Sequence, residues 1–377
     1  MDNQRNLILA VLLSGLLLFG WDAAMSYFYP QSDPITAAQR EDAPTQRAEA
    51  SAGDAPVGDG APTTATPGAP VTVERALASA DRVPIDAPGI AGSINPVGAR
   101  VDDVVLKRHR QSLDEDSGPI RIFSPAGTNA QHFAQFGWIG DGVELPGLDT
   151  VWQVQGERLT PETPVTLRWE NGAGQQFAIR FAVDENYLIT ATQQVRNGAG
   201  GPVVARPFSV INRTSATASA DNFTVHSGPI GVFDGAVQFG PDYDDLAEAA
   251  RETPEGRTSW LGFTDIYWMS ALIAEDGAGA TSDFRSLGSQ LYRADLLYQP
   301  ATVAAGGDLT RTTRLFVGAK ETEVLDAYEE AGIAQFGLAI DWGWFRWFEK
   351  PIFWLLRQLF DLVGNFGVAI ILLTLII

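Results

Sequence analysis

The strongest constraint on the fold is an alternation of apolar and polar residues between Val165 and Val195. Three alternating runs follow one another, separated by turn-like segments at residues 171–174 and 184–186. A period of two residues is typical of strands that bury one face and expose the other. This stretch therefore predicts a meander of three antiparallel strands.

Short strand-like runs recur over much of residues 71–318, separated by Gly, Pro and Asn. The additional runs are residues 203–211, 223–233, 266–274, 290–298 and 309–318. Many short strands with almost no helix predict a mainly β fold, a large β-sandwich over residues 73–335. Residues 321–331 predict one closing helix, with Val324, Leu325 and Tyr328 on its apolar face and Gly332 after its end.

Both ends of the chain carry apolar runs. Residues 7–20 are almost continuously apolar and aromatic residues follow, which predicts an N-terminal transmembrane anchor over residues 1–29. A cleaved signal peptide is the alternative. Residues 364–377 span only about 21 Å as a helix, less than a bilayer core. They predict the start of a truncated second transmembrane helix, with a short buried helix as the alternative.

Two segments of distinct composition flank the predicted sandwich. Residues 30–72 are rich in Pro and Ala and contain no aromatic residue, which predicts a disordered linker. Residues 336–363 predict an amphipathic helix that lies flat at a membrane interface. We expect Pro351 at the first position of its main helical part. The alternative is a surface helix that covers the β domain.

Four tryptophans between residues 342 and 354 favour the membrane interpretation. The residues assigned to the interfacial helix are Trp344, Phe345, Phe348, Pro351, Phe353, Trp354 and Leu355. A second aromatic group, in the β domain, either lines a ligand cleft or packs in the core. Its members are Trp260, Phe263, Tyr267 and Trp268.

Composition excludes several classes of function. The net charge of −20 argues against nucleic-acid binding. The absence of cysteine excludes disulfides and thiolate metal sites, and the three histidines share no ligand spacing. We therefore expect no metal, no cofactor and no catalytic residue. The acid pairs are interpreted as solvated surface; they are Asp102-Asp103, Asp244-Asp245 and Glu329-Glu330.

Several segments together resemble the N-terminal part of YidC-type bacterial membrane protein insertases. They are MDNQRNLILAVLLS, RLTPETPVTLRWENG, RFAVDENYLITATQQVRN, WLGFTDIYWMSALIAED, LFVGAKETEVLDAYEEAGI and the segment from LAIDWGWFRWFEKP to the C-terminal LLTLII. The last segment is the most specific, because it combines the domain exit, the aromatic helix and a G-N-x-G turn in one order. The long linker and the acidic domain suggest an alphaproteobacterial member.

The resemblance implies a periplasmic β-supersandwich of the galactose-mutarotase-like type. It implies a chaperone and insertase, not an enzyme, that inserts and folds inner-membrane proteins alone or with the Sec translocon. The implied partners are nascent inner-membrane proteins, Sec translocon components and the lipid bilayer. The implied location is the inner membrane, multi-pass in the full-length protein, with a cytoplasmic N-terminus and the large domain in the periplasm.

In that family the working part is a polar groove among membrane helices, whose residues lie beyond the stretch matched here. A different class of function stays open at this point. A membrane-tethered sandwich that binds or isomerises carbohydrate would have the same outline. It would need a histidine and a carboxylate that converge in an aromatic-lined cleft.

Overall fold

The computed structural model describes residues 70–78, 81–112, 114, 117–219, 225–343 and 346–377. The predicted anchor, residues 1–29, and nearly all of the predicted linker, residues 30–72, lie outside the described residues.

Nineteen strands form two antiparallel sheets among the described residues. In chain order they are β1 (Val83–Asp86), β2 (Ile90–Asn95), β3 (Arg100–Arg110), β4 (Pro119–Phe123), β5 (His132–Ile139), β6 (Gln153–Gln155), β7 (Val165–Glu170), β8 (Gln175–Val183), β9 (Leu188–Asn197), β10 (Val203–Thr214), β11 (Gly228–Phe233), β12 (Ala236–Phe239), β13 (Arg251–Glu252), β14 (Thr258–Thr264), β15 (Trp268–Ile273), β16 (Ala280–Gly288), β17 (Leu291–Tyr298), β18 (Ala301–Val303) and β19 (Asp308–Ala319). One sheet has the order β1-β2-β3-β5-β10-β17-β16-β13, with β18 beside β10 and β4 beside β3. The other has the order β12-β11-β14-β15-β19-β9-β8-β7-β6.

The predicted meander is confirmed as β7, β8 and β9. Val165 pairs with Phe181 across β7 and β8, and Phe177 pairs with Val195 across β8 and β9. The turn between β7 and β8 forms because the Asn171 side chain accepts hydrogen bonds from the backbone N–H groups of residues 173 and 175. Alternate residues of β8 are buried, as a strand with one face on the core requires.

The core lies between the two sheets and is built largely from aromatic side chains. Phe136 of the first sheet meets Phe181 of the second with ring centroids 5.5 Å apart, and Trp138 meets Phe177 at 5.2 Å. Both pairs have the tilted or edge-to-face geometry that aromatic quadrupoles prefer. The mainly β sandwich architecture predicted from the sequence is confirmed.

The strands before residue 156 were not predicted, and neither were β12, β13, β14, β16 and β18. In β5 and β14 nearly every residue is buried, so both faces of the strand are covered. Such strands carry continuous apolar runs instead of an alternating pattern. Their sequence therefore lacks the period-2 signal on which the prediction rested.

Five helices are described: α1 (Val73–Leu77), α2 (Tyr243–Ala249), α3 (Thr322–Glu330), α4 (Arg346–Val363) and α5 (Phe366–Ile376). The predicted closing helix is confirmed as α3, and its three predicted apolar residues are buried. Burying a leucine such as Leu325 contributes about 1.5–3 kcal/mol relative to leaving it exposed. Gly332 follows the helix with φ +97°, a conformation that favours glycine.

The sandwich core continues beyond the expected boundary at residue 335. Phe336 and Ala339 are fully buried in a short 3₁₀ turn. The ring of Phe336 meets Trp260 at 5.4 Å, and the Trp260 indole N–H donates to the carbonyl of Ala334 at 2.9 Å. The chain therefore leaves the sandwich only after Ala339.

One of the three acid pairs is not solvated surface. Asp102 and Asp103 are buried in β3, where each carboxylate forms an ion pair with an arginine, Arg82 or Arg121. Burial raises the pKa of Asp102, and the Arg82 guanidinium opposes that shift. The expectation was wrong because adjacent strand residues point to opposite faces and each found its own cation. The two other acid pairs are exposed, as expected.

Candidate functional site

The helix α4 presents a largely exposed aromatic and aliphatic surface. Trp347, Trp354 and Leu362 are 75%, 62% and 80% exposed, and Phe348 and Phe353 are also among the exposed large apolar residues. No side chain of α4 is fully buried among those described. Soluble proteins rarely expose contiguous apolar surface of this kind unless it faces a partner or a membrane.

The predicted start of this helix was wrong. Pro351 lies inside α4, five residues after its first residue, and not at the first helical position. The preceding turn is held by the connector that follows the sandwich, because Lys350 Nζ lies 5.5 Å from the ring centroid of Trp342. The helix can begin before Pro351 because of that contact, and because a proline near a helix start removes few hydrogen bonds. Trp344 and Phe345 lie outside the described residues.

The joint between α4 and α5 is well defined. Gly364 has φ +66° and ends α4, and the Asn365 side chain caps α5 by accepting from the N–H of Val368. Phe360 and Phe366 stack across the joint with ring centroids 3.9 Å apart. The apolar side chains of α5 are mostly exposed as well.

Three contacts hold α4, one with α3 of the sandwich and two with Trp342, in the connector that follows the sandwich. Arg357 forms an ion pair with Glu323 of α3, and Phe353 meets the ring of Trp342 edge-to-face at 5.6 Å. The Lys350–Trp342 contact is the third. The Arg357–Glu323 pair is solvent-exposed on its acidic side, so it orients the helix more than it stabilises it.

The helix α3, with which Arg357 of α4 forms its ion pair, is held in place by buried tyrosines. The Tyr328 hydroxyl donates to the Asp184 carboxylate and accepts from the backbone N–H of Tyr187 at 3.1 Å. The Tyr187 hydroxyl donates to Glu321, next to the start of α3. Burial and these carboxylates raise the pKa of both phenols, so both stay protonated at neutral pH.

A groove runs between α4 and the end of the sandwich. Its part along α4 is a shallow, open concavity of about 770 Å³ and is almost wholly apolar, lined by Trp342, Trp347, Phe348, Glu349, Ile352, Phe353 and Leu356. Its part along the sandwich encloses about 460 Å³ and includes Tyr267, Trp268 and Lys320. Trp342 and Phe353 belong to both parts, so the two parts adjoin. We call this feature the junction groove.

The four aromatic residues proposed for a cleft do not converge. Trp260 and Phe263 are fully buried in β14 and pack in the core, which is the alternative the sequence analysis left open. Tyr267 is 67% exposed and Trp268 is partly buried, with ring centroids 6.1 Å apart. Only these two line an open feature, the junction groove.

Sequence reasoning did not identify a buried polar cluster behind Trp268. His132, Arg213 and Asp265 line one cavity of about 340 Å³. Arg213 Nη2 donates to both oxygens of Asp265, at 2.8 and 2.7 Å, and the N–H of Ser219 also donates to that carboxylate at 2.8 Å. These residues are scattered between positions 132 and 265, so no local motif signals them.

His132 and Asp265 are paired with neighbouring groups, whereas Nε and Nη1 of the buried Arg213 have no hydrogen-bond partner among the described residues. His132 Nε2 lies 2.9 Å from Ser270 Oγ, and the ring also hydrogen bonds to the backbone of Ile122. Burial, then the Arg213 charge, lowers the pKa of His132 well below its ordinary value. Both a base and a carboxylate are thus committed to structural partners, so the geometry does not offer the acid–base pair that an isomerase needs.

Lys320, which lines the junction groove, also has a shifted pKa. Its Nζ donates to Thr264 Oγ1 at 3.0 Å, and burial lowers its pKa to about 8. Within the described ranges, no group of three His, Asp or Glu side chains is arranged to hold a metal ion. None of the described helices combines the length and apolar character that a membrane crossing requires.

The fold and the site define a class: a large two-sheet β domain that carries an exposed aromatic helix and a second apolar helix after its last strand. The sequence model described as the YidC periplasmic domain matches residues 82–355. The chain therefore belongs to the YidC periplasmic domain family.

Relatives match along almost the whole chain. The membrane protein insertase YidC of Zymomonas mobilis is 38% identical over 375 residues, which cover 98% of this chain and 62% of the relative. Those of Bradyrhizobium diazoefficiens and Dinoroseobacter shibae are also 38% identical, covering all of this chain and 65% and 64% of the relatives. The chain thus spans less than two thirds of their length. These relatives are alphaproteobacterial, as the linker and acidic domain suggested.

Solved structures resemble the sandwich at a distance. A putative aldose 1-epimerase from Escherichia coli matches with a TM-score of 0.39 and 9% identity, over 63% of this chain and 99% of its own. An aldose epimerase homologue from Caenorhabditis elegans matches with a TM-score of 0.38 and 10% identity, over 64% of this chain and 99% of its own. We infer no activity from them.

Proposed function

We propose that this chain is part of an insertase that inserts and folds inner-membrane proteins, alone or with the Sec translocon. The names of its relatives support this, since each is a membrane protein insertase. The substrates are nascent inner-membrane proteins. Insertion needs a polar site in the membrane and no nucleophile, so no catalytic residue is assigned to this chain.

In this proposal the sandwich lies in the periplasm and the N-terminus in the cytoplasm. Arg5 precedes the N-terminal apolar run, and the positive-inside rule favours that orientation. The acidic domain, in a chain with net charge −20, then sits away from the anionic inner leaflet.

One observation carries the proposal: the exposed aromatic surface of α4. Tryptophan and phenylalanine side chains gain free energy at the boundary between headgroups and acyl chains. The side chains of Trp347 and Trp354 are exposed and lie outside the sandwich core, so packing of the sandwich does not account for two tryptophans at these positions. A helix held flat in this way braces the membrane helices that follow it.

The test is complementation of a strain depleted of its own insertase, using the full-length protein. Trp354→Glu together with Trp347→Glu places two carboxylates at an apolar boundary, at several kcal/mol. We expect insertion of inner-membrane proteins to fall while the protein accumulates to normal levels by immunoblot.

The matched control is Gln358→Glu, which adds a carboxylate at an exposed polar position of the same helix. It should complement normally. Deletion of residues 80–310 should leave insertion largely intact. If that deletion abolishes growth while the double glutamate variant grows normally, the activity resides in the sandwich and the proposal fails.

A further inference from the structure

A separate cavity of about 320 Å³ lies at the end of the first sheet, where β5, β10 and β17 are neighbours. Its walls come from residues 126–133, the last residues of β10 and residues 287–292 at the β16–β17 turn. It shares no lining residue with the junction groove. Its volume is at the lower end of the range of ligand pockets, so it has room for one small molecule. We call it the Arg213 cavity.

The buried side chain of Arg213 lines this cavity as well as the polar cavity of about 340 Å³. Its Nη2 is engaged by Asp265, but its Nε and Nη1 have no hydrogen-bond partner among the described residues. The side chain is only 2% exposed, and a buried donor without an acceptor is costly. These two atoms therefore call for an oxygen acceptor that the described part of the chain does not supply.

Three side-chain amides line the same cavity and form no hydrogen bond with another described residue. They are those of Asn129, Asn212 and Gln290. Each amide offers two N–H donors and one carbonyl acceptor. The rings of Phe133 and Tyr292 complete the wall. The cavity thus combines several free donors and acceptors with two aromatic rings.

The turn that carries Gln290 is a two-residue hairpin loop, since Gly288 pairs with Leu291. Ser289 and Gln290 both have positive φ, +52° and +61°, at positions where Asn and Gly are usual. The N–H of Ser215 donates to the carbonyl of Gln290 at 3.0 Å. The Gln290 backbone is therefore fixed to the end of β10, which places its amide beside that of Asn212.

The charges around the cavity favour a neutral ligand over an anion. Arg213 is the one charged residue among those that line the cavity in the described ranges, and Asp265 already balances it. Burial, and then the carboxylates of Asp244 and Asp242, raise the pKa of the Tyr292 phenol. An anion in the cavity would meet this negative surrounding without a cation of its own, whereas a hydroxyl group would not.

We propose that the Arg213 cavity binds one neutral polyol of about the size of a single sugar ring. Arg213 donates from Nε or Nη1 to one ligand oxygen, and the amides of Asn212 and Gln290 contact its other hydroxyl groups. Hydroxyl groups suit this wall because each can both donate to an amide carbonyl and accept from an N–H. The site binds without reacting, since His132 and Asp265 are engaged with other groups. This binding goes beyond the proposed insertase function and does not depend on it.

The test is saturation-transfer difference NMR on the full 377-residue chain, held in an amine-oxide detergent that has no sugar headgroup. The probes are glucose, galactose, N-acetylglucosamine and myo-inositol at millimolar concentration. We expect at least one of them to bind. Asn212→Leu and Gln290→Leu should each weaken that binding about three- to tenfold, as the loss of one hydrogen bond implies. Arg213→Met combined with Asp265→Leu, which leaves no buried charge, should abolish it.

The matched control is Gln153→Leu, which makes the same substitution as Gln290→Leu at an exposed position of β6, outside the cavity. It should bind as the wild type does. Circular dichroism and thermal melts verify that each variant folds. The two amide variants test the site independently if the Arg213 double variant does not fold. Acetate and phosphate serve as anion probes and should not compete with the bound polyol.

Three outcomes overturn the inference. The first is that none of the four polyols binds, which means that water alone satisfies Arg213. The second is equal binding by the wild type and both amide variants, which places the ligand elsewhere. The third is binding of acetate or phosphate in place of the polyols, which makes the cavity an anion site. None of these results bears on the proposed function, which is tested by insertion and by the α4 variants.

Discussion

The buried ion pair between Arg213 and Asp265 predicts a large and specific loss of stability. The Arg213 side chain is only 2% exposed, and its guanidinium stays protonated at any pH at which the protein folds. Asp265→Asn keeps the shape of the side chain but removes the only carboxylate that accepts from Arg213 among the described residues. An uncompensated buried charge remains.

Breaking one partner of a buried pair costs about 3–5 kcal/mol, a large share of the roughly 5–15 kcal/mol by which domains are stable. For a domain of this size that corresponds to a fall in Tm of roughly 6–20 °C. Urea denaturation followed by tryptophan fluorescence measures the free energy of unfolding. The double variant Arg213→Met with Asp265→Leu should recover most of it, because no charge is left unpaired.

The control for this experiment is Arg158→Met, which removes a pair with Asp86 in which both side chains are about half exposed. That variant should unfold as the wild type does. If Asp265→Asn costs less than about 1 kcal/mol, the range of exposed pairs, Arg213 is not buried with a single counter-charge and the reasoning is refuted.

Three further predictions concern other parts of the molecule. Lys320→Met should stabilise the protein by about 3 kcal/mol at neutral pH, because lowering the pKa of Lys320 from 10.5 to about 8 costs the folded state about 1.4 kcal/mol per pKa unit. In thermal melts this gain should shrink as the pH rises from 8 to 10.5. A difference that stays constant with pH would contradict the prediction. Ala173→Cys, in the exposed β7–β8 turn of this cysteine-free chain, should react with an impermeant thiol reagent in intact spheroplasts, whereas labelling only after lysis would reverse the proposed topology. Gly318→Ala should strongly lower the unfolding midpoint, because its Cβ would lie 2.3 Å from the Tyr187 ring, while Gly306→Ala, with open space around it, should be milder.

The sequence predicted the parts of the fold that have a local signal. The meander from β7 to β9 alternates because one face packs on the core, and α3 shows its apolar face at helical spacing. Strands such as β5 and β14 have both faces covered and therefore no such signal. Segment patterns cannot predict which distant strands become neighbours, such as β5 and β10.

The candidate site was predictable to a similar degree. The aromatic character of α4 is visible in the sequence, but its start was misplaced because the contact of Lys350 with Trp342 is tertiary. The sequence left open whether Trp260 and Phe263 line a cleft or pack in the core, because only the fold decides which way an aromatic residue near Tyr267 faces; both pack in the core. The junction groove and the Arg213–Asp265 pair arise from residues far apart in sequence.

The absence of any fully buried side chain among those described in α4 bears on when this part of the chain becomes ordered. Ordering a residue costs about 1–2 kcal/mol of conformational entropy, and an isolated helix of this length is marginal in water. One exposed ion pair and two ring contacts do not offset that cost over eighteen residues. Under the proposed function that balance comes from the lipid, so we expect the β domain to fold first and the helix to gain its full structure at the membrane.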